Sequence, residues 1–301
     1  MESKYILNDY INVISDELDL EMLEKVSKEP FFEHKCLSFA FNEDEQQAIE
    51  HVEKIIKTYL PSFNLSIFYN NILDLMFKKR YTKEERRTAS YFLQSNEIII
   101  YHKKFSKFHE LLHMATSPDG KRCGFYLDGI GVGMNEAYTT FLDNIYFNKN
   151  IKINSNLYQL LSEYALLTDL LIGRNEMVSC YSNASLYDLI VILSKYMDEK
   201  YVIMFINALD NIYNNYYNRI QCLARRTIQK NINYCTAFIL CALDSKYSET
   251  KEYDDVMGFT IKLLSRSVNS KGYKYDKIDI EDEFVKAILN KMVSKKVKLK
   301  K

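Results

Sequence analysis

Residues 107–115 read KFHELLHMA and place two histidines, His109 and His113, four positions apart in a run of apolar residues. The apolar residues recur at helical spacing, so the segment is predicted to form an amphipathic helix. Side chains four positions apart on a helix lie about 40° from each other around the axis and one turn along it. Both imidazoles could therefore bind one metal ion, and the other predicted elements are placed relative to this helix.

A third candidate ligand lies on the next predicted helix. Glu136 follows His113 after 22 intervening residues and opens a helical pattern within GIGVGMNEAYTTFLDN, residues 129–144. Two imidazoles and one carboxylate leave a fourth coordination position for water, which is the composition of a catalytic zinc site and not of a closed structural one. We therefore predict Zn²⁺, although Co²⁺ or Ni²⁺ could occupy the same donors.

Glu110 directly follows the first histidine and lies about 100° from it around the predicted helix. This offset places the carboxylate beside the water on the ion, where it can take a proton. The alternative is a buried helix in which both histidines hydrogen-bond to neighbouring groups and Glu110 is a surface residue. With five histidines in the chain, a match to HExxH would arise by chance about one per cent of the time.

The segment HELLH at residues 109–113, followed by NEA at residues 135–137, resembles the HExxH…NE(A/G) signature of the gluzincins. This metallopeptidase group includes thermolysin and the aminopeptidase N type enzymes. The MNEAYT context is also similar to a GLNEGYT-like stretch in small gluzincin-like proteins of low-GC Gram-positive bacteria. The resemblance covers about residues 89–145 and implies a zincin-like fold.

The resemblance implies that His109, His113 and Glu136 bind zinc and that Glu110 is the general base of peptide-bond hydrolysis. Two departures from the family pattern matter. Thermolysin carries an aspartate four residues after its third ligand, and that place is Thr140 in this chain, so the groups that orient the ligands must differ. The GxMxN exopeptidase signature is missing upstream of the motif helix, which argues against aminopeptidase specificity and leaves the cleaved bond open.

A hydrolase of this kind also needs a donor for the oxyanion that forms during the reaction. Tyr126, Tyr138, Tyr181 and Arg174 are candidates by residue type. We favour Tyr181 because it follows a break in the helical pattern, where the chain could fold back onto the site. For any single residue among the 24 tyrosines, the ordinary alternative is packing.

Further polar residues lie on the face of the second predicted helix that carries Glu136. Thr139, Thr140 and Asp143 follow it at one and two turns and could orient the ligands, or could be ordinary surface and capping residues. His102 ends the strand before the motif helix and could border a substrate groove.

Glycine is concentrated between the two predicted ligand helices. Five of the eight glycines of the chain fall there: Gly120, Gly124, Gly129, Gly131 and Gly133. Such a segment can be a surface loop with a tight turn, or a flexible stretch that closes over substrate or lets the backbone approach it.

Composition restricts the kinds of partner and compartment. The chain has 301 residues, of which 47% are apolar, and its 40 basic residues balance its 40 acidic ones. A chain without net charge has no field that gathers nucleic acid. The six cysteines form no CxxC pair, which favours free thiols in a reducing compartment. The first 25 residues lack a signal-peptide pattern, and the apolar runs are too short for a membrane span, so we predict a cytoplasmic protein.

Turn residues and hydrophobic periodicity predict a small early sheet and a helical remainder. A strand is expected at 34–41, and Asn42 is expected to cap a helix that ends before Pro61. A second helix should follow at 65–77, and then a hairpin with strands near 89–94 and 97–101 around Ser95-Asn96. The remaining helices are predicted at about 134–148, 155–172, 175–198, 200–245 with breaks, 250–267 and 280–296.

These observations lead to one architecture and two functional hypotheses. The fold class is α+β and mostly α, with residues 1–117 forming a subdomain that holds the sheet and the motif helix. Residues 118–301 form a helical subdomain that supplies the third ligand.

The favoured function is a zinc-dependent hydrolase of peptide or protein substrates. The alternative is a related scaffold that binds a peptide or protein with little or no turnover; a regulatory protease that cleaves a repressor fits the sequence only loosely. The substrate and the oligomeric state are left open.

Overall fold

The structure is a computed structural model, and the description covers residues 41–81, 88–102, 107–147, 157–217, 225–270, 273–279, 282–283 and 285–290. The strand predicted at 34–41 falls outside these ranges except for Phe41, which lies in a bend. Of the helix predicted at 280–296, residues 282–283 and 285–290 are described; residues 283 and 285–290 are helical, and residue 282 lies in a bend.

The first described helix, α1 (Glu43–Tyr59), begins after Asn42 as predicted. The Asn42 side chain accepts a hydrogen bond from the Glu45 backbone N–H at 3.1 Å, and the Glu45 carboxylate accepts one from the Asn42 N–H at 3.2 Å. This reciprocal pair satisfies two donors that a helix start leaves without partners. The helix ends two residues before Pro61, which cannot continue it.

The predicted hairpin is confirmed as strands β2 (Ala89–Phe92) and β3 (Glu97–Ile100), and with β1 (Met76–Lys79) it forms a three-stranded sheet in the order β1-β3-β2. Strands β2 and β3 pair antiparallel, and Asn96 in their turn has a φ of 50°. Strand β1 runs parallel to β3, so β2 forms one edge of the sheet. Helix α2 (Leu65–Ile72) precedes this sheet in the chain.

The helix predicted at 65–77 is wrong at its C-terminal end, because residues 76 and 77 belong to strand β1. The Met76 N–H donates to the Asn96 carbonyl at 3.1 Å, and Phe77 pairs with Ile98. This pairing joins segments about twenty residues apart. Local periodicity could not indicate it, because the deciding hydrogen bonds come from another strand.

The motif helix α3 (Lys107–Ala115) packs against β2, α1, α2 and α4 (Val132–Tyr146). Its side chains Leu111, Leu112 and Met114 are completely buried. Between α3 and α4 the glycine-rich segment forms a small hairpin of strands β4 (Arg122–Cys123) and β5 (Tyr126–Leu127). The short hairpin returns the chain, so that α4 passes beside α3.

The rest of the described chain is mainly helical, as predicted. The bounds are α5 (Leu157–Ile172), α6 (Arg174–Ser182), α7 (Leu186–Leu193), α8 (Glu199–Tyr217), α9 (Arg225–Tyr247), α10 (Tyr253–Leu264), β6 (Val268–Ser270) and β7 (Tyr273–Tyr275). Helices α5 and α8 pack on α4, and α9 packs on α5 and α8. These helices share one continuous hydrophobic core with the sheet side of the molecule.

Two details of this region differ from the sequence prediction. The helix predicted at 175–198 is two helices, α6 and α7, because Ala184 between them adopts a φ of 52° that ends helical hydrogen bonding. The hairpin of β6 and β7 was not predicted. At the level of fold class, the described chain is mostly helical with small sheets, in agreement with the predicted α+β class. Within the described residues, no helix combines the length and apolarity needed to cross a bilayer.

Candidate metal centre

Helices α3 and α4 bring the three predicted ligands together. The Nε2 atoms of His109 and His113 lie 3.1 Å apart. The Glu136 carboxylate spans both rings, with Oε2 at 3.4 Å from His109 Nε2 and Oε1 at 3.5 Å from His113 Nε2. Residues from two helices therefore present two nitrogens and a carboxylate to a common point.

These distances are close to the donor spacing around a tetrahedral metal ion. Zinc binds histidine nitrogen at about 2.0–2.1 Å and carboxylate oxygen at about 2.0–2.2 Å, which separates tetrahedral donors by about 3.3–3.5 Å. The observed separation of the two nitrogens, 3.1 Å, is slightly shorter than this, and the two carboxylate oxygens lie at 3.4 and 3.5 Å from their nearest nitrogens. Among the described residues, His109, His113 and Glu136 form the group of histidine, cysteine or carboxylate side chains that could hold a metal ion, with one donor atom from each residue within 4.8 Å of the others. The donor set suits Zn²⁺ by chemical type.

Two neighbouring side chains hold the His113 ring. Asn135 Nδ2 lies 3.3 Å from His113 Nδ1, and Cys123 Sγ lies 3.6 Å from the same nitrogen. Asn135 is itself fixed, because its Oδ1 accepts a hydrogen bond from the Phe125 N–H at 3.1 Å. These contacts on Nδ1 leave Nε2 directed at Glu136.

Glu110 is buried beside the ligands. Its side-chain Oε2 accepts a hydrogen bond of 2.7 Å from the backbone N–H of Tyr91 in β2, and the residue is only 8% exposed. This position differs from the alternative in which Glu110 is a surface residue. Glu110 lines the same cavity as His109, His113 and Glu136, so its carboxylate is available to a molecule bound there.

The ligands and nearby acids create a field that favours positive charge. Burial acts to lower the pKa of His109, but a hydrogen bond with Glu136 and the charges of Glu110 and Asp143 outweigh burial and raise that pKa to about 9. Burial lowers the pKa of His113 to about 4, although Glu136 opposes the shift. The acids around His109 thus favour a positive charge at this point.

A cavity of about 440 Å³ opens in front of the centre. Its lining includes residues 88–91 at the edge strand β2, and also Tyr126, Val132 and Tyr213. Such a volume accommodates a few residues of a peptide or a small organic molecule.

The structure brings one of the four predicted oxyanion donors, Tyr126, to this cavity. In the described part of the chain, Tyr138, Tyr181 and Arg174 are not among its lining residues. Arg174 Nε and the Tyr138 hydroxyl both donate to Asp169, at 2.7 and 3.0 Å. These two side chains therefore serve a buried hydrogen-bond network.

Tyr181, the favoured donor, lies behind the centre. It is completely buried, and its hydroxyl is 2.6 Å from Thr139 Oγ1. Because Thr139 donates its own hydroxyl proton to the Asn135 carbonyl at 2.8 Å, it accepts from Tyr181. In this position Tyr181 supports the turn of α4 that holds Asn135 and Glu136.

The polar residues predicted to orient the ligands or to border a substrate groove lie in different surroundings. Asp143 lines the cavity, and Thr139 supports α4 as described above. The Thr140 hydroxyl is buried and has no hydrogen-bond partner among the described residues. His102, at the end of β3, is half-buried and is not among the described residues that line the cavity.

Sequence reasoning missed three residues near the centre: Cys123, Tyr213 and Asp210. Cys123 contacts the His113 ring, and Tyr213 lines the cavity. Asp210 and Tyr213 lie three positions apart on α8 and so share one helical face. That spacing was visible in the sequence, but nothing in it indicated that α8 packs on α4.

No protein-family model, curated protein or solved structure matches this chain. The metal centre therefore rests on the geometry of its own residues.

Proposed function

We propose that this chain is a cytoplasmic zinc-dependent peptide-bond hydrolase of the gluzincin type. The observation that carries the proposal is the set of three donor distances, 3.1, 3.4 and 3.5 Å, beside the buried carboxylate of Glu110. Two nitrogens, one carboxylate and an adjacent buried acid that does not belong to the ligand set are the parts of a hydrolytic metal centre.

His109, His113 and Glu136 would hold the ion. Zinc, when bound, supplies Lewis-acid polarisation of a carbonyl and lowers the pKa of water. Glu110 would accept the proton from the attacking water and pass it to the leaving amine. The hydrogen bond from Tyr91 fixes the Glu110 carboxylate for both transfers.

The edge strand supports an extended peptide as substrate. The Thr88 carbonyl accepts from the Tyr101 N–H at 2.9 Å and so faces the rest of the sheet. Because backbone groups alternate along an antiparallel strand, those of Ala89 face away from β3. Ala89 also lines the cavity. An extended peptide could pair with this edge and present a carbonyl to the centre.

Tyr126 and Tyr213 are the candidate hydrogen-bond donors to the oxyanion, since both side chains line the cavity. A phenol hydroxyl is a suitable neutral donor to a developing negative charge.

Two variants test the proposal. The wild-type chain should contain about one zinc per molecule, and Glu136→Ala should lose it, because two imidazoles alone bind weakly. Glu110→Gln should keep zinc and lose about 10²–10⁴-fold in cleavage of a defined mixture of synthetic decapeptides, analysed by mass spectrometry. The exposed Glu249 provides the matched control, and Glu249→Gln should cleave like wild type. Full zinc in Glu136→Ala, or unchanged cleavage by Glu110→Gln, would contradict the proposal.

A second candidate is a peptide-binding protein with little turnover. The hydrogen bond that Glu110 accepts from Tyr91 favours it, because it engages one oxygen of the proposed base. On this alternative the same decapeptides would bind to wild type and to Glu110→Gln with equal affinity, and neither protein would cleave them.

A further inference from the structure

The helix that carries Glu136 cannot cap its own N-terminus. Its N-cap residue is Gly131, with a φ of 78° and no side chain to accept a hydrogen bond. A Cβ atom at this position would come within 2.2 Å of the Phe125 carbonyl oxygen. Serine, threonine, aspartate and asparagine, which usually cap helices, are therefore excluded by space as well as by φ.

Asp210 of helix α8 supplies the missing cap. Its Oδ2 accepts a hydrogen bond from the Gly131 N–H at 2.8 Å, and its Oδ1 accepts one from the Gly133 N–H at 2.7 Å. Both carboxylate oxygens thus bind the first turn of α4. A negative charge at a helix N-terminus is also favoured by the helix dipole.

The backbones of the two helices touch at the same point. A Cβ atom on Gly133 would lie 2.4 Å from the Leu209 carbonyl carbon and oxygen and 2.6 Å from the Asp210 nitrogen. Because no side chain lies between the two backbones at this point, the contact fixes the position of α4 along α8 and its rotation about its own axis. Glu136 follows Gly133 by three residues, which is less than one helical turn.

We infer that Asp210 is a positioning residue for the metal centre: by capping and docking the first turn of α4 on α8, it sets where Glu136 meets His109 and His113. The inference rests on the proposed function, since it assumes that these three residues bind a metal ion. The arrangement of the three ligands then depends on the carboxylate of Asp210, which lies 77 residues after Gly133 in the sequence.

Asp210 acts on the metal ligands through the position of helix α4. Glu136 is held at 3.4 and 3.5 Å from the two imidazoles only while its helix keeps its present start. Without the carboxylate, two N–H groups at a buried helix start lose their acceptors, and the first turn can fray or shift. Residues that orient metal ligands typically change metal affinity by 10–100-fold when they are removed.

Cobalt binding to the full-length chain tests the inference, because Co²⁺ fits the same donors as zinc and its visible spectrum reports coordination geometry. Affinity is measured by competition with a chromophoric chelator. Asp210→Ala should weaken Co²⁺ binding by about 10–100-fold and alter the visible spectrum. Asp210→Asn keeps the shape but offers one acceptor oxygen instead of two, so its affinity should fall by a smaller factor.

Asp244 provides a matched control. It is a buried aspartate on α9 that accepts a hydrogen bond of 2.9 Å from the Tyr253 hydroxyl, in another part of the core. Asp244→Asn should leave cobalt affinity and spectrum unchanged even if it lowers stability.

The outcomes separate the two proposals. If wild type binds cobalt and both Asp210 variants bind it equally tightly with the same spectrum, the positioning role is wrong and the proposed function stands. An equal loss of affinity in Asp244→Asn would also overturn the positioning role, because the effect would then be general destabilisation. If wild type binds neither cobalt nor zinc, both proposals fail.

Discussion

At the scale of single residues, the carboxylate of Glu136 is shared between two imidazoles that differ in protonation. Burial acts to lower the pKa of both rings, but Glu136, Glu110 and Asp143 together raise the pKa of His109 to about 9, whereas burial and the neighbouring His109 lower that of His113 to about 4. On the proposed function, a metal ion would displace a proton from His109, whereas His113 would already be neutral.

This difference predicts the pH dependence of metal binding. Below a pH of about 9 the free protein holds the His109 proton, and binding releases it, so apparent affinity for Co²⁺ should rise about tenfold per pH unit. Above that pH the affinity should level off. The measurement is chelator competition between pH 6.5 and 9.5, corrected for the chelator's own protonation. An affinity that stays constant from pH 7 to 9 would contradict a protonated His109.

The grouping of His109, His113 and Glu110 could be predicted from the sequence, because these residues lie on one short helix. The i, i+4 spacing of His109 and His113 fixes their geometry on any helix. Glu136 needed a resemblance to a known signature to be chosen. Asp210 and Tyr213 could not be chosen, because only the packing of α8 on α4 brings them to the site.

At the scale of helices and strands, helices α4 and α8, which position the candidate metal centre, contact each other at Gly133. The crossing of α4 and α8 at Gly133 leaves no room for a methyl group. Capping signals at Asn42 and the turn at Asn96 were visible in the sequence and were predicted correctly. Strand β1 and the break at Ala184 were not. Strand β1 forms by pairing with β3, and the break lies next to Ser182 and Asn183, which hydrogen-bond to Asn64.

The Gly133 crossing gives a stability prediction. Gly133→Ala should destabilise the fold by about 3 kcal/mol, because its Cβ would overlap the backbone of α8 and force the helices apart. Chemical unfolding in urea measures the change. Gly258→Ala is the matched control: this exposed helical glycine has nothing within 4 Å of a new Cβ, so alanine should stabilise by about 0.5–1 kcal/mol. Similar effects of the two substitutions would rule out a tight crossing.

At the scale of the whole molecule, the segment that directly follows the hairpin of β6 and β7 is tied to the helical core by a buried ion pair. Lys277 is 1% exposed, and its Nζ lies 2.5 Å from Glu163 on α5 and 2.7 Å from the Leu263 carbonyl oxygen. The Thr236 hydroxyl on α9 donates to the Lys277 carbonyl at 2.7 Å. The hairpin thus closes the same core that supports α4.

Breaking this pair from one side should be costly. Lys277→Met leaves the buried Glu163 charge without its cation and should destabilise by about 3–5 kcal/mol, measured by urea unfolding. The double variant Lys277→Met/Glu163→Met should recover most of the loss, because no charge remains buried.

Lys274 is a nearby control for this prediction. It is exposed and forms a surface pair with Asp276 at 3.4 Å, so Lys274→Met should change stability by less than about 1 kcal/mol. A double variant as unstable as Lys277→Met alone would show that packing, and not the unpaired charge, accounts for the loss.

The sequence separation between Asp210 and the turn it caps also affects how the protein is made. A ribosome adds the 77 residues between Gly133 and Asp210 in roughly 4–15 s, at about 5–20 residues per second. For most of that interval both helices that carry the proposed ligands have been translated, but the carboxylate that fixes the second one has not. On the proposed function, a nascent chain that ends before Asp210 would therefore take up zinc poorly.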